Sequence, residues 1–240
     1  MKNGDRDEVW TEFLKSEKQK IGFFGAYSYD IILYLARALS LEGKQVLVID
    51  RSIEQEVIRM IRPMHTGDLQ LGIFRFCGID ITSRSLLPEG MNAEDIYDVI
   101  LYDFGVNMCP DEYCSCDVIC YVLDMYVHNA LAVQRAEELQ DTQILMILRD
   151  LLRGKALARY HMRLTGKMVK KENIYYIRLN SDDFVARFRM EADQLPRVEL
   201  ASEEMQKVVQ SLAEQIYPEM VTKKGSKGRS KMNPAEKDSA

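Results

Sequence analysis

The sequence predicts an α/β fold: a doubly wound, mainly parallel sheet of seven strands with helices on both faces. From Lys20 onward, short apolar runs of the kind that form buried strands alternate with stretches of helical periodicity. The chain has 240 residues, of which 47% are hydrophobic, so it can build one substantial core. This alternation predicts one sheet with helices packed against it.

Local patterns predict the individual strands and the first helix. In chain order, the strand-like runs are IGFF, QVLVID, LGIFRF, YDVILYDF, DVICYVL, QILMIL and NIYYIRL. The helix after the first strand ends at Gly43, and its apolar face consists of Ile32, Leu35, Ala36 and Leu39. Residues 52–92 contain one predicted strand, at 71–76, and the pattern does not order the rest of that region.

The two ends of the chain differ from this body. Residues 1–19 predict an amphipathic helix that packs on the body or on another chain, with an apolar stripe of Val9, Trp10, Phe13 and Leu14. Residues 20–218 form the predicted α/β domain, which ends in a helix at 202–217 with Met205, Val208, Val209, Leu212 and Ile216 facing inward. Residues 219–240 are basic and have almost nothing to bury, which predicts a disordered tail.

Composition limits the class of protein. A formal net charge of −5 argues against a general binder of nucleic acid or of anionic membranes. The first ten residues are charged where a secretory signal is apolar, and no run approaches the roughly 18 apolar residues of a membrane span. We therefore expect a cytoplasmic protein whose five cysteines are free thiols.

The turn after the first strand, in the stretch FFGAYSYDII, lies where α/β proteins often bind phosphate. A phosphate loop of the form GxxxxGK[ST] needs glycines for backbone approach, a lysine for charge and a hydroxyl for magnesium. With Gly25 as the first glycine, Asp30 stands at the second, while Ile31 and Ile32 stand at the lysine and hydroxyl positions. The Asp30 carboxylate competes with phosphate for the positive end of the helix dipole. A turn without a ligand is therefore favoured over an unconventional nucleotide site.

Other side chains near the turn support this interpretation. Tyr27 and Tyr29 fill space that phosphate oxygens would need, and Ser28 is a plausible N-cap for the helix. Two later strands end in aspartates that could orient water or magnesium at this edge, although such residues more often cap helices or form turns. The candidate cofactor-binding residues, interpreted as vestigial, are Gly25, Ser28, Asp30, Asp50 and Asp103. No catalytic residue and no metal ligand is assigned.

The order of these segments resembles the ParA/MinD family of P-loop proteins, including its TadZ/CpaE branch, which is associated with pilus assembly. Residues 25–32, 44–50 and 97–103 stand where the family has a KGGxGKT loop, a VLLID strand and a YDxVLID strand. The likeness extends over residues 20–217 and includes DVICYVLDMYVHNALAVQRAEEL, which is similar to a later strand and helix carrying PxxxSLRDAxRL. The resemblance implies a P-loop NTPase fold, ATP binding as a sandwich dimer, and the positioning of cellular machinery.

The departures from the family fall on its functional residues. Ala26 and Ile31 replace the two lysines of the loop. Arg149 and Asp150 replace an expected Asn-Arg pair, LNSDDF replaces the proline-containing loop that borders the base, and only the two strand-end aspartates match. We expect a degenerate protein, a pseudo-ATPase without a cofactor, that works as a binding, scaffold or positioning module for pilus-type assembly. The alternative is an ATPase with an atypical loop that binds ATP and Mg²⁺.

Two further clusters could bind ligands. Residues 149–171 are rich in Lys and Arg, and the candidate partner surface there is Arg153, Lys155, Arg159, Arg163 and Lys167; a solvated helix face is favoured over a binding surface. A metal site could be formed by Cys109, Cys114, Cys116 and Cys120, but their spacing lacks the paired knuckles of zinc sites, so ordinary thiols are favoured.

The expected partners follow from the fold and the charge. They are one or more proteins, including a second copy in a homodimer, with no specific nucleic acid. The basic tail lacks large apolar side chains, so at most it makes weak peripheral contact with a membrane.

Overall fold

The computed structural model describes residues 19–25, 27–60, 72–83, 92–107, 110–126, 142–152, 169–193 and 195–217. The strands are β1 (Gln19–Gly25), β2 (Val46–Asp50), β3 (Ile73–Phe76), β4 (Ile79–Ser83), β5 (Val99–Asp103), β6 (Val118–Leu123), β7 (Gln143–Leu151) and β8 (Ile174–Arg178). The helices are α1 (Tyr29–Leu41), α2 (Glu56–Met60), α3 (Ala93–Ile96), α4 (Pro110–Cys114), α5 (Ser181–Asp193) and α6 (Glu203–Ile216), with short 3-10 helices at Lys171–Asn173 and Val198–Leu200.

The strands form one sheet in the order β3-β4-β2-β5-β1-β6-β7-β8. All neighbouring pairs in this order are parallel except β3 and β4. The prediction of a doubly wound, mainly parallel α/β fold is confirmed, with eight strands in place of seven. Within the described ranges, no helix is both long enough and apolar enough to cross a membrane.

The strand missing from the prediction is β4, which forms a hairpin with β3 at one edge of the sheet. Its turn is Cys77-Gly78, and both residues have positive φ, of 51° and 81°, as two-residue hairpin turns of type I′ require. Across the hairpin, Arg75 Nε donates to Asp80 Oδ1 at 2.7 Å and Nη2 donates to Oδ2 at 2.6 Å. The signal in FRFCGIDIT is weak because Cys stands where Asn or Asp usually marks such a turn.

Two helices cover one face of the sheet, and aromatic side chains line the other. The predicted apolar face of α1 is fully buried at Ile32, Leu35, Ala36 and Leu39. The predicted inward residues of α6 are also buried, and its N-cap Ser202 accepts a hydrogen bond from the Met205 N–H at 3.2 Å. On the opposite face, the buried aromatic residues include Phe24, Tyr102, Phe104, Tyr113 and Tyr121. This agreement follows from the helical spacing of the apolar positions.

Several predictions concern residues outside the described ranges. They are the N-terminal amphipathic helix, the basic tail and the lysine position at Ala26.

The carboxyl ends of β1, β2, β5 and β7 lie at one edge of the sheet, beside the start of α1. Because β1 lies between β5 and β6, the turn that follows it is central in this edge. Asp50 and Asp103 are register partners at the ends of β2 and β5. The residues assigned from sequence to the candidate site therefore end at the same edge.

Gly25 is required by packing against β6. Its φ is +143°, and a Cβ built on it would lie 1.8 Å from the carbonyl oxygen of Val122. Its N–H donates to the Gly105 carbonyl at 2.7 Å, which fixes the end of β1 beside the turn that follows β5. The loop pattern assigns this glycine to the approach of phosphate, but the structure needs it so that β1 can pack against β6.

We expect Gly25→Ala to lower the free energy of unfolding by at least about 3 kcal/mol, because both the backbone strain and the overlap with Val122 must be relieved. Gly43→Ala is the matched control: its φ is also positive, at +87°, but no atom lies within 4 Å of a Cβ there. It should cost only about 1 kcal/mol. Urea unfolding of the two variants measures the difference, and equal losses would contradict the packing role.

Candidate functional site

The centre of the candidate site is a buried ion pair between Asp30 in α1 and Arg149 in β7. Nη1 of Arg149 lies 2.6 Å from Asp30 Oδ1 and Nη2 lies 2.7 Å from Oδ2, so the contact is bidentate. Both side chains are 0% exposed. Nη1 also donates to the backbone carbonyl of Tyr27, within the turn. The guanidinium therefore holds the turn and the start of α1 together.

A bulge in β7 places Arg149 in this position. The pairing of β7 with β8 shifts register between Leu148 and Leu151, and Asp150 has a φ of 55°. Side chains alternate along a strand, so Arg149 lies on the face of the sheet that Leu145 and Ile147 share with α1. Asp150 stays beside it and accepts from Arg149 Nε at 3.2 Å. Although burial lowers the pKa of Arg149, Asp30 raises it above its ordinary value, so the guanidinium remains charged.

A second arginine reaches the same carboxylate from α5. Arg187 Nε lies 3.6 Å from Asp30 Oδ2, and its guanidinium carbon lies 4.5 Å from the ring centroid of Phe184. One turn earlier in α5, Asp183 accepts hydrogen bonds from the Ser202 N–H at 2.7 Å and from its hydroxyl at 3.0 Å. Since Ser202 caps α6, this chain of contacts links the turn to the starts of both C-terminal helices.

Asp30 also satisfies the N-terminus of α1. The N–H of Ile31 donates to Asp30 Oδ1 at 2.8 Å, so the carboxylate occupies the position in which helix termini bind anions. Ser28 is the N-cap residue, but its hydroxyl makes no capping bond. Instead it donates to Asp103 Oδ1 at 2.9 Å. The prediction that Ser28 is the N-cap residue is therefore confirmed for its position, but its hydroxyl bonds to a buried carboxylate and not to the N–H groups of the helix.

Asp50 and Asp103 form a pair of adjacent buried carboxylates. Oδ1 of Asp50 accepts from the Ser52 N–H and hydroxyl, at 3.0 and 2.6 Å, and Oδ1 of Asp103 accepts from Ser28 and from the Gly105 N–H at 3.0 Å. Burial, and then the charge on Asp50, raise the pKa of Asp103 to about 7. Burial also raises the pKa of Asp50. Two negative charges on register partners of adjacent strands destabilise each other, so Asp103 exchanges a proton near neutral pH.

The sequence patterns place Asp30 at the site but do not predict Arg149 or Arg187 there. The available signal is one charge inside each of two apolar elements: Asp30 in YDIILYLARAL and Arg149 after QILMIL. Opposite charges at buried positions must be paired, although sequence alone does not say with which partner.

The remaining candidates do not join this cluster. Cys114 is exposed, whereas Cys116 and Cys120 are buried, and burial raises the pKa of Cys116 to about 12. Within the described ranges, no three His, Cys, Asp or Glu side chains come together to hold a metal ion. Cys109 and the candidate partner surface between Arg153 and Lys167 lie outside the described residues.

Solved structures similar to this chain include ParA and MinD proteins. A ParA family ATPase from Chlorobium tepidum TLS has a TM-score of 0.57 and 15% identity, covering 80% of this chain and 98% of that chain. The pNOB8 ParA bound to nonspecific DNA has a TM-score of 0.57 and 12% identity, covering 84% and 99%. The MinC:MinD cell division protein complex of Aquifex aeolicus has a TM-score of 0.50 and 14% identity, covering 81% and 95%. No protein-family model and no curated protein matches the chain. At these identities the likeness shows a P-loop NTPase fold.

The described residues do not fit the phosphates and magnesium that this fold implies. Both terminal nitrogens of Arg149 already donate to Asp30, which also accepts from the N–H of Ile31 in the first turn of α1. Ile31 and Ile32, at the lysine and hydroxyl positions, are 0% exposed in the core. Phosphate would therefore meet a carboxylate at the helix terminus, and none of the lysines that the structure describes lies beside it.

Breaking the pair from one side should cost more than removing it. We expect Arg149→Met to lower the free energy of unfolding by about 3–5 kcal/mol, because the Asp30 carboxylate stays buried with only the more distant Arg187 beside it. The double variant Asp30→Leu with Arg149→Met should lose at least about 2 kcal/mol less than the sum of the two single variants. Urea unfolding of the four proteins measures this coupling, and additive losses would show that the pair is not a unit.

Asp103 should make stability depend on pH. The folded protein holds the Asp103 proton between the ordinary pKa of 3.8 and about 7, where the unfolded chain has released it. The contribution is thus full below about pH 4 and lost as pH rises through about 7. Relative to wild type, Asp103→Asn should gain stability by up to about 1.4 kcal/mol per pH unit in that window. Denaturation at pH 5 and pH 8 tests this, and a difference that is the same at both values would contradict it.

Proposed function

We propose that this chain is a degenerate ParA/MinD-like protein that binds and positions protein partners without a nucleotide cycle. The observation that carries the proposal is the Asp30 carboxylate at the N-terminus of α1, paired with Arg149. The fold is that of ParA and MinD proteins, whereas the chemistry at the turn is that of a closed internal ion pair.

The free energy needed to open this site argues against nucleotide binding. ATP would have to displace Asp30 from Arg149 and leave the carboxylate buried or force the turn to rearrange. Disrupting a buried pair costs about 3–5 kcal/mol, which weakens a ligand by about two to four orders of magnitude. Asp50 and Asp103 do not offset this cost, because a nucleotide is itself an anion and they are acids.

Protein partners are the class that the surface supports. The net charge of −5 does not favour the phosphate contacts on which DNA binding depends. One similar structure, MinD, is a complex with the protein MinC. Within this proposal, the resemblance to the ParA/MinD family, whose TadZ/CpaE branch is associated with pilus assembly, supports a place beside pilus-type assembly. The basic tail supplies at most weak membrane contact.

One observation favours the alternative, an ATP-binding protein with an atypical loop. Arg149 and Arg187 both approach the turn, so they supply the positive charge that the missing lysines would have given. A nucleotide could use them only if Asp30 left the site.

Titration with ATP and Mg²⁺ separates the two functions. We expect no binding heat from wild-type protein, and a dissociation constant in the micromolar range would establish the alternative. Hydrolysis of ATP that is lost in Asp103→Ala would do so as well.

Removing the internal carboxylate should open an anion site. We expect Asp30→Gly to bind pyrophosphate measurably, because Arg149 and Arg187 then lack their acid. Asp30→Glu is the control, since it keeps the charge and should not bind. Adding Ile31→Lys would confuse the result, because Ile31 is 0% exposed and a lysine there buries a new charge. If Asp30→Gly folds as wild type by circular dichroism and binds no pyrophosphate, Asp30 does not occupy an anion site.

A further inference from the structure

Helix α5 exposes an apolar strip that nothing in the described part of the chain covers. Phe184, Val185 and Phe188 are 53%, 48% and 70% exposed, whereas Ala186 and Met190 on the opposite side of the helix are buried. Large apolar side chains gathered on one exposed helix face indicate an interaction surface. We call these three residues the α5 strip.

The strip points directly away from the body of the protein. The inner side of α5 is held by two polar contacts, Asp183 with the Ser202 N–H at 2.7 Å and Arg187 with Asp30 at 3.6 Å. At 3.6 residues per turn, the centre of the strip lies opposite this inner side. A partner can therefore reach the strip without moving α5.

One flank of the strip carries an acid and a base. Asp182 and Arg189 are seven positions apart, almost two helical turns, so they lie on the same flank of α5, beside Val185. Both residues are exposed. None of the ion pairs within the described ranges involves either side chain. Two opposite charges are thus available to a partner on this flank.

A second copy of α5 matches this pattern when the two helices run antiparallel. About a two-fold axis at the level of Ala186, Phe184 of each copy lies opposite Phe188 of the other. The two-fold axis keeps equivalent flanks on the same side of the helix pair. Asp182 of one copy then lies within one residue, about 1.5 Å along the axis, of the level of Arg189 in the other copy. The symmetry forms this ion pair twice.

Position, and not net charge, decides whether the charges agree. A symmetric contact always joins surfaces of equal net charge. The antiparallel arrangement opposes Asp182 to Arg189, whereas a parallel one would oppose each of them to its own copy. Glu191 lies on the other flank, at the level of Ser181 of the second copy, and Asp193 lies beyond the overlap of the helices. Complementary charges of this kind fix the orientation of a contact.

We propose that two copies of this chain form a symmetric dimer through an antiparallel pair of α5 helices. The contact is isologous, so it closes at two copies. Three large apolar side chains from each copy make a small interface, and its affinity is accordingly in the range of weak, transient contacts. The contact needs no nucleotide and does not depend on the proposed function above.

Reversing one charge at a time tests the pairing. Asp182→Arg gives the flank two bases and Arg189→Asp gives it two acids, so two copies of either variant oppose like charges. In analytical ultracentrifugation, we expect wild-type mass to rise toward that of a dimer with concentration, and each variant alone to dimerise at least about tenfold more weakly. An equimolar mixture of the two variants should dimerise at least as strongly as wild type, because every charge then meets its opposite.

Three further variants serve as controls. The variant that carries both reversals should dimerise like wild type, since the ion pair is only inverted. Arg59→Asp, at an exposed position in α2, changes the net charge by as much as Arg189→Asp and should have no effect. Phe184→Ser with Phe188→Ser should abolish the dimer while circular dichroism stays that of wild type.

Four outcomes would overturn the proposal. The first is a wild-type protein that is monomeric at every concentration, and the second is a mixture that associates no more strongly than either charge variant alone. A dimer that persists in Phe184→Ser with Phe188→Ser shows a different surface. Assemblies larger than a dimer that this variant abolishes show a head-to-tail contact. Because no nucleotide is present, none of these outcomes bears on the proposed function.

Discussion

The carboxyl edge of this sheet depends on the buried ion pair between Asp30 and Arg149. A charged group from either element alone would be costly in a site that is 0% exposed. Paired, they also satisfy an N–H of α1 and a carbonyl of the turn, where Tyr27 has a φ of 57°. The conformation of the turn is thus set by a strand two places away in the sheet, and not by the turn sequence alone.

The contacts that begin at this pair continue to the surface of the protein. Asp30 is shared with Arg187, whose guanidinium lies over the exposed ring of Phe184 in α5. One turn earlier in the same helix, Asp183 holds the start of α6 through Ser202. The exposed aromatic residues therefore lie on a helix that two contacts hold from the inside, Arg187 with Asp30 and Asp183 with Ser202.

Periodicity in the sequence predicted the helices and strands that bury an apolar face. The apolar faces of α1 and α6 and seven of the strands follow from spacing, whereas β4 was missed because its turn begins with Cys77. Pairing over long separations is a different kind of information. Arg149 and Asp30 are 119 positions apart, and Ser28 and Asp103 are 75 apart. Local propensity therefore placed Ser28 at the N-cap correctly, but it gave no hydrogen-bond partner for the Ser28 hydroxyl and none for Asp30, since both partners are residues that only the folded sheet brings near.

The anion at the start of α1 is the Asp30 side chain, so it cannot dissociate or be hydrolysed as a bound ligand can. A bound nucleotide can be exchanged or hydrolysed, and either event resets the surfaces that depend on it. The Asp30 carboxylate is part of the chain, so it leaves Arg149 only when the chain itself rearranges. Because Arg187 joins this carboxylate to α5, the exposed side chains of Phe184 and Phe188 keep their placement for as long as the chain stays folded.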